Sequence, residues 1–202
     1  MPRTSDARER IVATAARLFL ERSYHAVGVD ELCQAADVRK GSFYHYFSSK
    51  SELAKAVVDL HADAFTQRLS GNGATTPVQK LHAIPDAIGA IQSALEAQFG
   101  RAVGCPFGNL AAELSTTDDD LRAHIAAVLG AMERYLATAC RDAAAAGVLR
   151  KGTDPDRLAH ALLAQYQGII LLAKLNSSGV ADLAPALHDF IDGYLAEAPA
   201  GG

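Results

Sequence analysis

Residues 27 to 53 read VGVDELCQAADVRKGSFYHYFSSKSEL. Val29, Leu32, Cys33 and Ala36 fall at i, i+3, i+4 and i+7, one apolar stripe of a two-turn helix, with Gly28 where an N-cap would stand. Asp37 follows, a residue type that tolerates the left-handed backbone of a tight reversal, and Val38 supplies an apolar plug. A second short pattern spans Lys40 to Phe47, with Phe43 and Phe47 as its inward pair. At roughly 100° per residue Gly41 and His45 point away from that pair, and Ser42 and Tyr44 lie on the flanks. Two short helices around a three-residue turn make a helix-turn-helix, and the expectation is that the chain binds DNA.

The outer face of the second helix is polar, aromatic and nearly free of acid. Gly41 costs roughly 1 kcal/mol against Ala in a helix, which predicts that something approaches the backbone closely there; a phosphate or a base edge fits. Ser49 to Glu52 reads as a capping box opening a longer helix. Lys50 sits in its first turn, where a cation is unfavourable to the helix dipole unless an anion lies nearby. A DNA phosphate is the expected anion.

Val27 to Leu53 resembles the DNA-binding signature of the TetR family of bacterial transcriptional regulators. The family's pattern of Ala-Gly-Val, Ser-Lys-Gly, an apolar residue, Tyr, two variable residues, Phe and then Ser-Lys-x-x-Leu is met by Ala36-Asp37-Val38, Arg39-Lys40-Gly41, Phe43-Tyr44-His45-Tyr46-Phe47 and Ser49-Lys50-Ser51-Glu52-Leu53. Three positions depart from it: Gly28 stands where the family favours Thr or Ser, Asp37 where it favours Gly, and Arg39 where it favours Ser. The resemblance implies an all-α fold of about nine helices, with a DNA-binding domain over residues 1–50 and a helical effector-binding and dimerisation domain over 51–202. It implies DNA contact by Gly28, Val29, Arg39, Lys40, Gly41, Ser42, Tyr44, His45 and Lys50.

The formal net charge of −4 argues superficially against nucleic acid, but residues 1–55 hold nine Lys or Arg against seven Asp or Glu, and the remainder ten against sixteen. The basic share lies at the front, and an acidic body helps keep the rest of the protein off DNA. No apolar run of membrane-spanning length and no secretory leader pattern is evident, so a cytoplasmic protein without a membrane partner is expected. Cys33, Cys105 and Cys140 are widely spaced, odd in number and without a C-x-x-C pair, which argues against a disulfide framework or a structural zinc site. No cofactor is expected.

The rest of the chain reads as helix almost throughout. A first helix spans about 6–22, and the helix opened at Ser49 continues to about Leu69. Ser70 to Thr76 forms a polar linker. Pro77 starts a helix running toward Gly100 that Pro85 should kink. A short helix follows Cys105-Pro106, a long one runs from about Thr117 to Ala146, another from Thr153-Asp154-Pro155 to about Leu175, and a last from about Asp182 to Ala196.

Cys105 precedes Pro106 at a helix start, four residues after Arg101, a setting that lowers a thiol pKa. The Gly-Cys segment before Asn109-Leu110 also resembles that of TetR-type regulators that respond to electrophiles or oxidants. Two readings stay open: a sensor thiol, or a small residue packed at a helix junction. By the same resemblance an effector pocket is expected among the middle helices, with Cys105, Phe107, Asn109, Tyr135 and Tyr166 as candidate lining and Asn109, Glu113, Gln165 or Gln167 as polar anchors. His82, His124 and His160 lie on different helices with nothing in their spacing to gather them round a metal, and Asp118 to Asp120 suit a helix's first turn. Leu162, Leu163, Ile169, Leu172, Leu187, Ile191 and Leu195 make the last two helices more apolar than a surface needs, so a homodimer seam is expected there. The function implied is a sequence-specific DNA-binding regulator, a repressor released from a palindromic operator by a small molecule or by modification of Cys105. The rival is a helical thiol-dependent redox enzyme using Cys105, which leaves the front 55 residues unexplained.

Overall fold

The computed structural model describes residues 4–70 and 73–196, so Gly71 and Asn72 of the expected linker lie outside the described residues. Among the described residues nine helices run in order: α1 (Thr4–Arg22), α2 (Val29–Ala35), α3 (Lys40–Tyr46), α4 (Lys50–Ser70), α5 (Pro77–Phe99), α6 (Pro106–Leu114), α7 (Asp119–Ala145), α8 (Pro155–Asn176) and α9 (Leu183–Asp192). Among the described residues β-pairing is confined to one isolated antiparallel bridge, Leu149 to Leu195. That bridge shortens the last helix relative to its sequence pattern. The backbone leaves α9 at Gly193, and Tyr194 to Ala196 pair instead with Val148 to Arg150, through Arg150 N–H to Tyr194 O at 2.9 Å and Ala196 N–H to Val148 O at 2.9 Å.

Cap chemistry explains most boundaries. Thr76 and Gln79 form a reciprocal capping box ahead of Pro77, and Asp154 accepts from the N–H groups of Asp156 and Arg157 ahead of Pro155. Asp118 Oδ1 takes the Leu121 N–H at 2.9 Å at the start of α7. Left-handed Gly100 ends α5, and left-handed Gly147 follows α7, with Gly147 N–H to Ala144 O and Val148 N–H to Ala143 O closing the helix end. Helix α5 runs through Pro85 without interruption.

The chain forms two compact units, divided within α4, between α5 and α6, and within α7. The first comprises the described residues up to Ala64 together with Cys105–Val128. Its core is built from Ile11, Ala15, Leu18 and Phe19 of α1, Leu32 of α2, Phe43 of α3, Leu53 and Val57 of α4, Phe107 and Leu110 of α6, and Leu121 and Ile125 of α7. The second comprises Phe65–Gly104 and the described residues from Leu129 on. There α5 packs closely on α9: a Cβ built on Gly89 would sit 2.9 Å from that of Ala184.

The expected seam needs correction. Leu162, Leu187 and Ile191 are buried in their own chain, because the α8 and α9 faces that carry them close the core of the second unit. The exposed apolar residues of α8 are Leu171, Leu172 and Leu175, at 61%, 56% and 75% exposure. Over an 18-residue window α8 has mean hydropathy 1.3 while a third of that window is buried, so the helix is apolar well beyond what its own core uses.

Candidate DNA-binding site

Helix α2 ends in a two-bond C-terminal motif. Val38 N–H reaches Cys33 O at 3.0 Å and Asp37 N–H reaches Gln34 O at 3.2 Å, with Asp37 in the left-handed region at φ 51°. This is the conformation that the family's Gly would adopt without strain, and Asp tolerates it through its short polar side chain. Arg10 of α1 fixes the reversal from behind, its Nε donating to Ala36 O and its Nη2 to Asp37 O, both at 3.2 Å.

Helix α3 begins at Arg39, whose side chain makes no cap hydrogen bond; a hydroxyl at that position would have supplied one. Phe43 is 0% exposed and Phe47 is 4% exposed, which fixes the rotation of the helix. Arg39, Lys40, Gly41, Tyr44 and His45 are then exposed and Ser42 is half-buried. Tyr44, at 52% exposure, rests edge-on against Phe43 with ring centroids 5.2 Å apart, so its phenol projects from a supported base. Gly28 and Gly41 both have open space where a Cβ would stand, and neither has a positive φ. Among the described residues nothing requires glycine at either position. Val29 is half-buried at the start of α2.

Charges on this surface are partly paired. Lys40 Nζ lies 2.6 Å from Asp30 Oδ1, a hydrogen-bonded ion pair that pushes the lysine above its ordinary pKa. Arg22 pairs with Glu31.

Lys50 is placed differently from the phosphate ligand expected of it. Its ammonium turns inward, donating to Tyr24 O at 3.0 Å and Val27 O at 3.1 Å and lying 4.0 Å from the centre of the Tyr24 ring. A set of neutral carbonyl oxygens and a ring face, in place of an anion, offsets the cation in this first turn. Burial pushes Lys50 below the usual lysine range. The Ser49 half of the capping box forms, Glu52 N–H to Ser49 Oγ at 3.1 Å, while Glu52 Oε1 takes the Lys55 ammonium at 2.8 Å.

The candidate effector residues separate by burial. Cys105 is the N-cap of α6 and is 3% exposed, Phe107 is buried, and Asn109 is half-buried. Phe107 meets the ring of His61 edge-on at 6.3 Å. Tyr135 does not line a core of its own chain, being 43% exposed on α7. Tyr166 is buried and its hydroxyl accepts from Gln92 Nε2 at 2.9 Å, whereas the carbonyl oxygen of that Gln92 amide is buried with no partner among the described residues. Glu113 lines a small cavity together with Asn109, Leu110 and His61, and its carboxylate also bonds the loop between α1 and α2. Gln165 is exposed.

Among the described residues no group of three or more His, Cys, Asp or Glu side chains is arranged to hold a metal ion. His82, His124 and His160 pair separately with Asp192, Asp59 and Glu133. Sequence reasoning passed over two supporting residues. Arg10 gives no local signal, since its partners are 26 and 27 residues away. His61 had one: it stands four residues after Val57 on the apolar stripe of α4, and the structure leaves it half-buried with its Nε2 covered and without a partner among the described residues, a desolvation that holds its pKa down at about 4.

Residues 11–57 match the family model described as bacterial regulatory proteins of the tetR family, and residues 77–184 match the one described as a tetracyclin repressor-like C-terminal domain. This chain belongs to the TetR family. Relatives within it include the transcriptional regulator AcuR of Cereibacter sphaeroides, 34% identical over 94% of this chain and 84% of that protein. The transcriptional repressor NemR of Escherichia coli is 32% identical over 86% of each. A crystal structure of a TetR regulatory protein from Rhodobacter sphaeroides superposes with a TM-score of 0.81 at 31% identity, covering 94% of this chain and 99% of that one. TetR-family members are DNA-binding transcriptional regulators and not enzymes, so the thiol-dependent redox enzyme is not supported. They are soluble, bind DNA operators and act as dimers with small-molecule effectors.

Proposed function

We propose that this protein is a cytoplasmic transcriptional repressor that binds a partly palindromic operator as a homodimer and leaves it when an effector binds or Cys105 is modified. The observation that carries the reading is the outer face of α3. Gly41, Tyr44 and His45 are exposed together while Phe43 and Phe47 hold the opposite face in the core. Helices of this kind enter the major groove, phosphate contacts set their register, and base-edge contacts supply sequence preference. In this reading Arg39, Lys40, Ser42 and the amides near Gly28 and Val29 contact backbone, and Tyr44 and His45 contact backbone or bases. A helical glycine that the chain itself does not need, Gly41, is then explained by the approach of DNA. Residues 1–50 are the reader and 51–202 carry effector binding and dimerisation.

Association through the last two helices is supported by the exposed Leu171, Leu172 and Leu175 of α8, and repression by the printed function of the relative NemR. An effector acts by favouring the form whose readers are wrongly spaced for DNA, and the shift is bounded by its differential affinity for the two forms. Cys105 at the start of α6, with Phe107 and Asn109 beside it, is the proposed sensor or pocket edge. Burial at 3% means that a reagent reaches the thiol only when the helix start opens.

Selection from a random duplex pool at moderate salt tests the reading. A palindromic site bound by the wild type and lost by Tyr44→Ala is the expected result; no enrichment, or equal binding by both, overturns it. Alkylation should release the wild type from that site and leave Cys105→Ser bound. Release of both alike removes Cys105 from the mechanism.

A further inference from the structure

The loop that leads from α1 into the reader is held from two sides by opposite charges. On one side Lys50 of α4 takes its carbonyls, Tyr24 O at 3.0 Å and Val27 O at 3.1 Å. On the other, Glu113 of α6 takes its amides: Tyr24 N–H donates to Oε1 at 3.2 Å and His25 N–H to Oε2 at 3.1 Å, with His25 Nδ1 also 3.1 Å from Oε2. Glu113 is 23% exposed, so these bonds to an ionised acceptor are only partly screened. Its charge also acts on Lys50 and favours the ammonium form. One residue, Gly28, separates Val27, the end of this grip, from Val29, the first residue of α2.

We infer that Glu113 is a positioning residue for operator binding: from α6 it fixes the α1–α2 loop and so sets where α2 and α3 are presented to DNA. The inference rests on the proposed reading of α3 as the operator-contacting helix. A carboxylate supplies two acceptor oxygens, one for each amide, and both are needed because Tyr24 and His25 offer their N–H groups side by side. An amide side chain keeps one acceptor, and alanine keeps neither. Loosening the loop lowers the fraction of molecules with a competent reader, and apparent affinity falls by that fraction.

The test uses the full chain as wild type, Glu113→Gln and Glu113→Ala. Three readouts are taken: affinity for the operator selected by the wild type, residue-resolved amide exchange, and thermal melting. Expected is a graded loss of affinity, with Glu113→Gln intermediate and Glu113→Ala weaker by about tenfold. Amide exchange at Tyr24 and His25 should quicken in the same order, while protection in α5, α8 and α9 stays at the wild-type level. Unchanged affinity or unchanged exchange at those two amides overturns the inference. So does a loss of binding that disappears once corrected for the folded fraction, since that marks a contribution to stability alone. If Glu113→Ala fails to fold, Glu113→Gln carries the same comparison. Failure of the wild type itself to select an operator is a separate outcome, and it removes the reading on which the inference rests.

Discussion

The ammonium of Lys50 lies 4.0 Å above the ring of Tyr24 and donates to that residue's own carbonyl oxygen at 3.0 Å. One side chain thus binds a ring face and two carbonyls of a loop whose other end leads into α2. Bonds from a charged donor are worth about 1.5–3 kcal/mol each, and the cation–π contact about 1 kcal/mol more. The desolvation of the ammonium and the packing that a Met side chain retains offset part of that sum, so Lys50→Met is expected to lower stability by about 2–4 kcal/mol, read by denaturant unfolding. Among molecules that remain folded, the salt dependence of operator binding should stay at its wild-type slope. Lys40→Ala should do the reverse, leaving stability near wild type and reducing the slope by about one. A reduced slope in the Lys50 variant would return that residue to the phosphate-contacting set.

Asp37 occupies a left-handed position at φ 51° and is exposed beside the proposed reader. Glycine there removes a strain of about 1 kcal/mol and a negative charge from the face turned to phosphate. Asp37→Gly should melt higher and bind the operator more tightly, with the affinity gain shrinking as salt is raised. Asp37→Asn separates the two effects, since it removes the charge and keeps a side chain that tolerates the same backbone. Weaker binding by both variants would mean that Asp37 makes a favourable contact with DNA.

His61 is half-buried on α4, its Nε2 covered and without a partner among the described residues, and its folded pKa is near 4 against an ordinary value of 6.5. The unfolded chain then binds more protons than the native chain between those two values, so stability falls as pH drops through that window. The loss approaches about 3 kcal/mol at its lower end. His61→Leu removes both the titration and the unpartnered nitrogen. Its stability should vary less between pH 6.5 and pH 4.5 than that of the wild type, as measured by urea unfolding at each pH. Equal slopes would show that the imidazole is solvated in the native protein.

How much of this was legible beforehand follows from the range of each interaction. The boundaries of α2, α3, α5, α6 and α8 depend on residues within one turn of the break, such as Thr76-Pro77, Cys105-Pro106 and Asp154-Pro155, and they were readable. The inward rotation of α3 followed from Phe43 and Phe47 alone. The fates of Lys50, Glu113 and Arg10 were not readable, because their partners lie between 23 and 89 residues away. A charged residue in a helix's first turn has the same local pattern whether its counter-group is DNA or a distant carbonyl. The α8 stripe was misassigned for a related reason. Apolar periodicity identifies a helix that buries much surface without saying which stripe faces the chain's own core, so Leu162 was grouped with Leu172 although one is buried and the other exposed.

Gly89 faces Ala184 so closely that an added Cβ would lie 2.9 Å from the Ala184 Cβ, an atom fixed to backbone. The gain in helix propensity from Gly89→Ala, about 1 kcal/mol, is therefore opposed by separation of α5 from α9, at about 1–3 kcal/mol. Net destabilisation is expected on thermal melting, and Ala184→Gly in the same chain should restore part of it. A more stable single variant would mean that the two helices shift at little cost.

Leu171 and Leu175 stand one turn apart on the exposed face of α8. Leu175→Glu should convert the dimer to monomer in sedimentation equilibrium and weaken operator binding, because each half-site would then be bound alone. A dimer that survives Leu171→Glu and Leu175→Glu together would place the seam elsewhere.

The unit that carries the reader is assembled from two stretches of chain, and the order of synthesis therefore matters. Tyr24 emerges 89 residues before Glu113, its partner on α6. At ordinary elongation rates that is a delay on the order of ten seconds. During this interval Phe19, Leu20 and Val57, which α6 later covers together with His61, have no lid. A nascent chain halted anywhere short of α6 thus presents an unfinished apolar surface to whatever waits at the exit tunnel. Fragments cut after α4 should inherit the same deficit, so a DNA-binding piece taken from this protein would have to bring α6 and the front of α7 with it.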